Sequence, residues 1–211
     1  MERAGALADW ESMSEQTRSD VRDPVMGYHG AIDDRCGCDV MAPDILQLPF
    51  WTPDLCREVI DAAEAVGGFA ARPEDPVPGF EISLAAISGD LFEDVENDFG
   101  ERIWPQLQEV WPLIDYYGLR DAFIIKYSMD AQTSLRIHHD VAQVSGSVKL
   151  NDGYEGAQLD FPRQSFDNSS VSVGALLAWP SLVTHPHQTL PLISGVKYGL
   201  TIWCELPEQY Q

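Results

Sequence analysis

The spacing of apolar residues changes character at Gly118, and that change restricts the fold more than any other feature of the chain. Before it, the period is helical. Thr52-Pro53 supplies an N-cap followed by a first-turn proline, and Leu55, Val59, Ile60, Ala63 and Val66 then recur at helical spacing until Gly67-Gly68 stops them. Residues 73–79 are turn-rich and 81–87 read as a short strand. From Asp90, read as an N-cap, Leu91, Val95, Phe99, Ile103, Leu107, Val110, Trp111 and Ile114 repeat at steps of three and four, with Gly100 and Pro105 dividing or kinking the segment. Beyond Gly118 the apolar runs become short and β-like, at 123–127, 146–150, 158–161, 171–179 and 198–205. Helices followed by closely spaced strands predict an α+β chain that ends in an antiparallel sandwich or barrel.

With 211 residues, 45% of them hydrophobic, the chain can fill one core. Residues 1–44 mix charge, Gly, Ser and Met without a sustained period, so they read as a partly irregular leader before a single domain at 45–211. Acidic residues outnumber basic ones 34 to 13, giving a formal charge of −21, and no Lys/Arg-rich run occurs. Such a surface repels nucleic acid and anionic membrane; it serves solubility and is compatible with a cationic substrate. The N-terminus has no uninterrupted apolar run, and no membrane-spanning stretch follows. Cys36, Cys38, Cys56 and Cys204 are too sparse for a disulfide framework, and Cys36-Gly37-Cys38 lacks a second ligand pair at zinc-site spacing. Free thiols in a reducing cytoplasm are the expectation.

Chemistry concentrates in two histidine clusters, His138-His139-Asp140 and His185-Pro186-His187. Residues two apart on a strand share a face, so His138 and Asp140 can reach one metal while His139 points away. A third ligand from the second cluster, His185 or His187, completes a two-His-one-carboxylate set whose open positions suit Fe(II). Downstream, Lys197 interrupts an apolar strand, where a buried cation is costly without an anion. The distal carboxylate of 2-oxoglutarate, chelating the iron through its keto-acid end, is one such anion.

The run from Phe123 through Tyr127 to Leu135-Arg136-Ile137-His138-His139-Asp140, with Leu150-Asn151, Tyr154-Glu155-Gly156 and Thr184-His185-Pro186-His187, resembles the catalytic domain of the procollagen lysyl hydroxylases and, more loosely, the prolyl 4-hydroxylases. The likeness extends upstream to Pro49 and omits the leader. It implies a double-stranded β-helix (jelly-roll, cupin-like) core with N-terminal helices packed on one sheet. It also implies Fe(II), 2-oxoglutarate and O2 as reactants, with succinate and CO2 released as an unactivated C–H bond is hydroxylated. In that family the distal histidine lies ten residues before the basic residue, which selects His187 over His185. Lysyl hydroxylases carry arginine at the basic position and prolyl 4-hydroxylases lysine, so Lys197 departs from the closer pattern and replaces a bidentate fork by a point charge. Tyr127, Thr201 and Asn151 are candidate polar contacts for 2-oxoglutarate, and Trp179, Phe161 and Trp203 are candidate walls of a substrate pocket. Related halogenases have a small residue where Asp140 stands, so the carboxylate implies hydroxylation. The substrate class implied is an amino acid, free, carrier-bound or peptidyl. Alternatives are a non-catalytic cupin-like binder of a metal or small molecule and a desaturase or epimerase on the same scaffold.

Overall fold

A computed structural model describes residues 32, 33, 35, 37–72 and 75–207, so Cys36 and most of the expected leader lie outside the described residues. Strands β1 (Asp39–Ala42) and β2 (Ile45–Pro49) precede helix α1 (Pro53–Val66). Next come β3 (Glu81–Ser83), α2 (Leu84–Ile87), α3 (Gly89–Asp98), a π-helical turn (Phe99–Ile103) and α4 (Trp104–Val110). The rest is β: β4 (Leu119–Ser128), β5 (Leu135–His138), β6 (Val144–Lys149), β7 (Glu155–Gly156), β8 (Leu159–Phe161), β9 (Phe166–Asp167), β10 (Ala175–Pro180), β11 (His187–Thr189), β12 (Leu192–Ser194) and β13 (Val196–Cys204).

The helices begin where the chain supplies acceptors for their free N–H groups. Thr52 Oγ1 accepts from Leu55 N–H at 3.3 Å and opens α1 with Pro53 behind it. For α3 the cap is Ser88, whose Oγ accepts from Leu91 N–H at 3.2 Å; Asp90 lies in the first turn, where its charge meets the positive end of the helix dipole. Gly100 sits in the π-helical turn and Pro105 in the first turn of α4, so the long apolar repeat is broken where expected. The 81–87 segment divides: Glu81–Ser83 is strand, while Leu84 and Ile87, three apart, turn helical to reach the same core. Within 171–179 the strand starts only at Ala175, because Asn168–Ser170 is a 3-10 turn and Gly174 has φ +85°.

A seven-stranded antiparallel sheet runs in the order β1-β2-β10-β6-β13-β4-β3, and a four-stranded sheet runs β5-β11-β8-β9. The ordered fold thus starts upstream of Ile45: β1 pairs with β2, and Ile32 bridges Trp51, both inside the segment read as leader. Alternation on the large sheet assigns its faces. Leu200, Ile202 and Cys204 of β13 and Ala122 and Ile124 of β4 join one buried cluster with Leu55 and Val59 of α1 and Leu91 and Val95 of α3. The helices therefore cover one face of the large sheet, and the intervening residues of the same strands face the smaller sheet. Ile45, Leu177 and Trp179 meet Leu159 and Phe161 across that second layer.

Gly174, just ahead of β10, ties the ends of the two neighbouring strands of the large sheet: its N–H donates to Lys149 O at 2.8 Å and its carbonyl accepts from Trp51 N–H at 2.9 Å. A Cβ there would lie 2.0 Å from Trp51 O, on a backbone of positive φ. Gly174→Ala is expected to destabilise the fold by about 2–3 kcal/mol or more, read as a lowered urea midpoint with an unchanged slope.

Candidate metal centre

Strands β5 and β11 pair antiparallel with His138 directly opposite His187, which brings the two imidazole centroids to 4.4 Å. Asp140 follows two residues after His138, just beyond the end of β5. Its Oδ1 lies 3.6 Å from His138 Nε2 and its Oδ2 3.6 Å from His187 Nε2. All three ligand atoms fall within 4.8 Å of one another, and no other His, Cys, Asp or Glu group among the described residues converges so closely.

The protons are placed by the backbone. His138 Nδ1 bonds to Arg136 O at 2.8 Å and His187 Nδ1 to His185 O at 3.0 Å. A carbonyl can only accept, so each Nδ1 carries a hydrogen, and in the neutral ring, the form that a metal binds, each Nε2 turns a lone pair toward Asp140. Burial pushes the His187 pKa below its ordinary value; Asp140 opposes this and His138 adds to it. His187 therefore stays neutral, as a ligand must. Two lone pairs and a carboxylate thus converge with no hydrogen between them, an arrangement that a divalent cation satisfies. The N2O donor set, closed on one side by protein, can hold iron.

Asp140 is itself oriented. Ser145 Oγ donates to its Oδ2 at 2.6 Å, and Ser181 Oγ, 2.7 Å from Ser145 Oγ, must then donate to Ser145. Neither serine belongs to a recognisable motif; the alternation of polar Ser145, Ser147 and Lys149 along β6 is a signal for Ser145, and Ser181 carries none. Trp179 and Phe161, packed against each other at 5.0 Å, back the His187 ring, with centroids at 5.1 and 5.5 Å from it.

A cavity of about 400 Å³ opens beside the three ligands. Lys197 lines it, 6% exposed, its Nζ donating to Ala157 O at 2.7 Å and standing 5.1 Å from the Tyr127 ring centroid. Burial, with Lys149 nearby, lowers its pKa to about 7, and among the described residues no carboxylate lies within ion-pair distance. Two residues along β13 stands Gly199, also on the cavity wall; a Cβ there would make only ordinary contacts, at 3.7 Å from Val148 O and 3.8 Å from Ile125 Cγ2. Neither backbone nor packing demands glycine here, so the missing side chain leaves room for a ligand beside an unpartnered cation. Those two features fit a dicarboxylate.

The remaining candidates divide. Tyr127 and Thr201 line the cavity, the Tyr127 hydroxyl bonding Thr189 Oγ1 at 2.9 Å and its pKa raised by burial. Asn151 does not line it: Oδ1 accepts from Tyr198 N–H, and Nδ2 donates to Val196 O and Asp152 O, so the amide is consumed in pinning the start of β13. Trp179 and Trp203 line the cavity, whereas Phe161 lies behind His187 as support for the ring. His185 is buried between Thr184 Oγ1 and Pro43 O, outside the ligand group, and His139 is exposed at the cavity rim.

No protein-family model matches the chain. Procollagen-lysine,2-oxoglutarate 5-dioxygenase 1 of Mus musculus is 28% identical over 172 residues, 74% of this chain and 23% of that protein. A multifunctional procollagen lysine hydroxylase and glycosyltransferase of Caenorhabditis elegans is 26% identical over 188 residues, 82% and 25%. The chain therefore spans about a quarter of the length of these curated relatives. Among solved structures, the 2-oxoglutarate complex of a viral collagen prolyl hydroxylase from Paramecium bursaria Chlorella virus-1 superposes with TM-score 0.59 at 17% identity, covering 78% of this chain and 97% of that one. A Pseudomonas putida prolyl-4-hydroxylase gives 0.55 at 17%, covering 78% and 93%. The fold is the double-stranded β-helix of 2-oxoglutarate oxygenases, with the helices on one sheet, and the chain resembles Fe(II)/2-oxoglutarate dioxygenases of the lysyl and prolyl hydroxylase type.

Removing the hydrogen bond that orients Asp140 tests the centre. Ser145→Ala is expected to weaken metal binding about tenfold to a hundredfold without unfolding the chain, read by equilibrium dialysis against Mn(II) or anaerobic Fe(II).

Proposed function

We propose that this chain is an Fe(II)- and 2-oxoglutarate-dependent dioxygenase that hydroxylates an unactivated C–H bond of an amino acid, free, carrier-bound or peptidyl. The observation that carries the reading is the pairing, in one cavity, of the His138, Asp140 and His187 acceptors with a buried lysine that has no anion within ion-pair distance among the described residues. His138, Asp140 and His187 hold the iron, and Lys197 takes the distal carboxylate of 2-oxoglutarate. Thr201 and the Tyr127 hydroxyl offer that carboxylate further polar contacts. When bound, iron and 2-oxoglutarate supply the oxidising chemistry: O2 is split between succinate, formed with loss of CO2, and the substrate hydroxyl.

The residues of the chain supply position and dryness. Backbone carbonyls fix both imidazoles in the Nδ1–H form, Ser145 fixes the carboxylate, and Trp179 and Phe161 exclude water from the His187 side. Lys197 is the weight against a merely metal-binding protein of this shape. A buried ammonium with Ala157 O as its hydrogen-bond acceptor is costly until an anion arrives, and a dicarboxylate cosubstrate supplies that anion. The free thiols at Cys38, Cys56 and Cys204 support a reducing compartment as the working location, and no helix among the described residues is long and apolar enough to cross a membrane.

Anaerobic addition of Fe(II) and 2-oxoglutarate is expected to give the weak visible charge-transfer band of a chelated keto acid, lost in His187→Ala. No band with the intact protein would overturn the reading. Lys197→Ala is expected to raise half-saturation by 2-oxoglutarate about a hundredfold and that of iron only a few-fold, the loss of a buried charge-assisted pair. Because free Lys197 titrates near 7 and must be charged to hold an anion, 2-oxoglutarate affinity should be level below about 7 and decline by up to about tenfold per pH unit above it. An affinity that rises above pH 7 would count against Lys197 as the anchor.

A further inference from the structure

One charged group at the same cavity has no part in holding iron or 2-oxoglutarate: Glu81 and Arg72 line the wall, and Asp121 reaches Arg72 from outside the lining. Edge strand β3 pairs with β4 so that Glu81 sits opposite Ile125, on the face shared by Phe123, Ile125 and Tyr127 and turned to the cavity. Ile82 between them points the other way, into the helical core. Gly79 clears the space for this carboxylate; a Cβ there would lie 2.8 Å from Glu81 Oε2 and 2.9 Å from Ile125 Cδ1.

The charges in this group do not balance. Arg72 Nε lies 2.9 Å from Glu81 Oε1, and the same guanidinium reaches Asp121 Oδ2 at 3.3 Å. Among the described residues a single cation, Arg72, bridges these two carboxylates, and Glu81 is only 8% exposed. Arg120, also on the wall, donates instead to Val141 O. Burial pushes the Glu81 carboxyl up to about 7; Arg72 opposes this, and Asp121 and Asp75 reinforce it, so a second cation is what would keep it ionised. Aromatic faces adjoin the carboxylates, with Arg72 5.9 Å over Phe123 and Trp203 set edge-on to Phe123 at 5.0 Å. A carboxylate beside rings that line the cavity suits an alkylammonium, whose charge and methylenes are both accommodated.

We propose that Glu81, supported by Asp121, is a specificity-determining residue that binds a cationic nitrogen of the substrate, a primary ammonium, in the cavity that holds the iron ligands. This rests on the oxygenase reading of that cavity, and it assigns the residues that choose the substrate.

The test is anaerobic calorimetric titration of the protein loaded with Fe(II) and 2-oxoglutarate, using L-lysine, L-norleucine, Nα-acetyl-L-lysine amide and Nα-acetyl-L-norleucine amide. Only the last carries no cation. At least one of the other three is expected to bind about tenfold or more tighter than it, and Glu81→Gln is expected to reduce that advantage to about twofold while the charge-transfer band is retained. Asp121→Asn should give a smaller loss in the same ligand-selective pattern. The ligands that lose affinity identify the α- or side-chain ammonium as the group bound. Equal weakening of all four ligands would mean that Glu81 only braces the edge strand, and overturns the proposal. So would wild-type protein that binds capped norleucine as well as the cations. If no band forms in the wild type, the oxygenase reading itself fails; a band without cation preference removes the subsite alone.

Discussion

Everything in this fold depends on a sheet that is apolar on one face and chemically equipped on the other. Along β13, Leu200, Ile202 and Cys204 bury against the helices while Lys197, Gly199, Thr201 and Trp203 line the cavity. The two-residue period allows both without compromise, because each residue commits to one face. A register slip of one position between β13 and its neighbours would carry Lys197 into the helical core and Leu200 into the cavity. The helices α1, α3 and α4 are thus part of the site, since their burial of one face forces the other toward the small sheet.

The cavity is defined by charges that the protein does not balance within itself. Two imidazole nitrogens converge on a carboxylate, and among the described residues the hydrogen bond of a buried ammonium goes to a carbonyl. A structure built for stability alone would cancel such terms, as it does where Arg102 bridges Asp98 and the carbonyls of Pro49 and Phe50. The unbalanced groups gather in one cavity, and each is complementary in sign to a ligand: a divalent cation for the acceptors, a carboxylate for Lys197.

Backbone strain is placed at the same locus. Ala157 has φ +52° although it is not glycine, and its carbonyl receives the Lys197 ammonium while its N–H bonds Pro191 O. A conformation that costs on the order of 1 kcal/mol is held because those two bonds and full burial leave no alternative. It parks the lysine where an anion can capture it.

The sequence by itself determined the fold class, the start of α1 at Thr52-Pro53, the break at Gly100 and Pro105, and the pairing of His138 with Asp140, because each depends on spacings of two to four residues along one segment. It also marked Lys197, since a lone cation in an apolar run is visible without coordinates. The tertiary structure alone decided what depends on packing between distant segments. It showed β1 as part of the sheet, Asn151 spent on backbone and Phe161 behind the histidine, none of which a local period can encode; the Ser88 cap of α3, three residues from Leu91, is by contrast local. It set His138 opposite His187 across the β5–β11 pair, brought Ser145 to Asp140, and put Glu81 and Arg72 on the cavity wall. Even where the residues are close in sequence, as Ser145 and Asp140 are, the contact joins separate segments, and the register of paired strands brings the groups within a few ångströms.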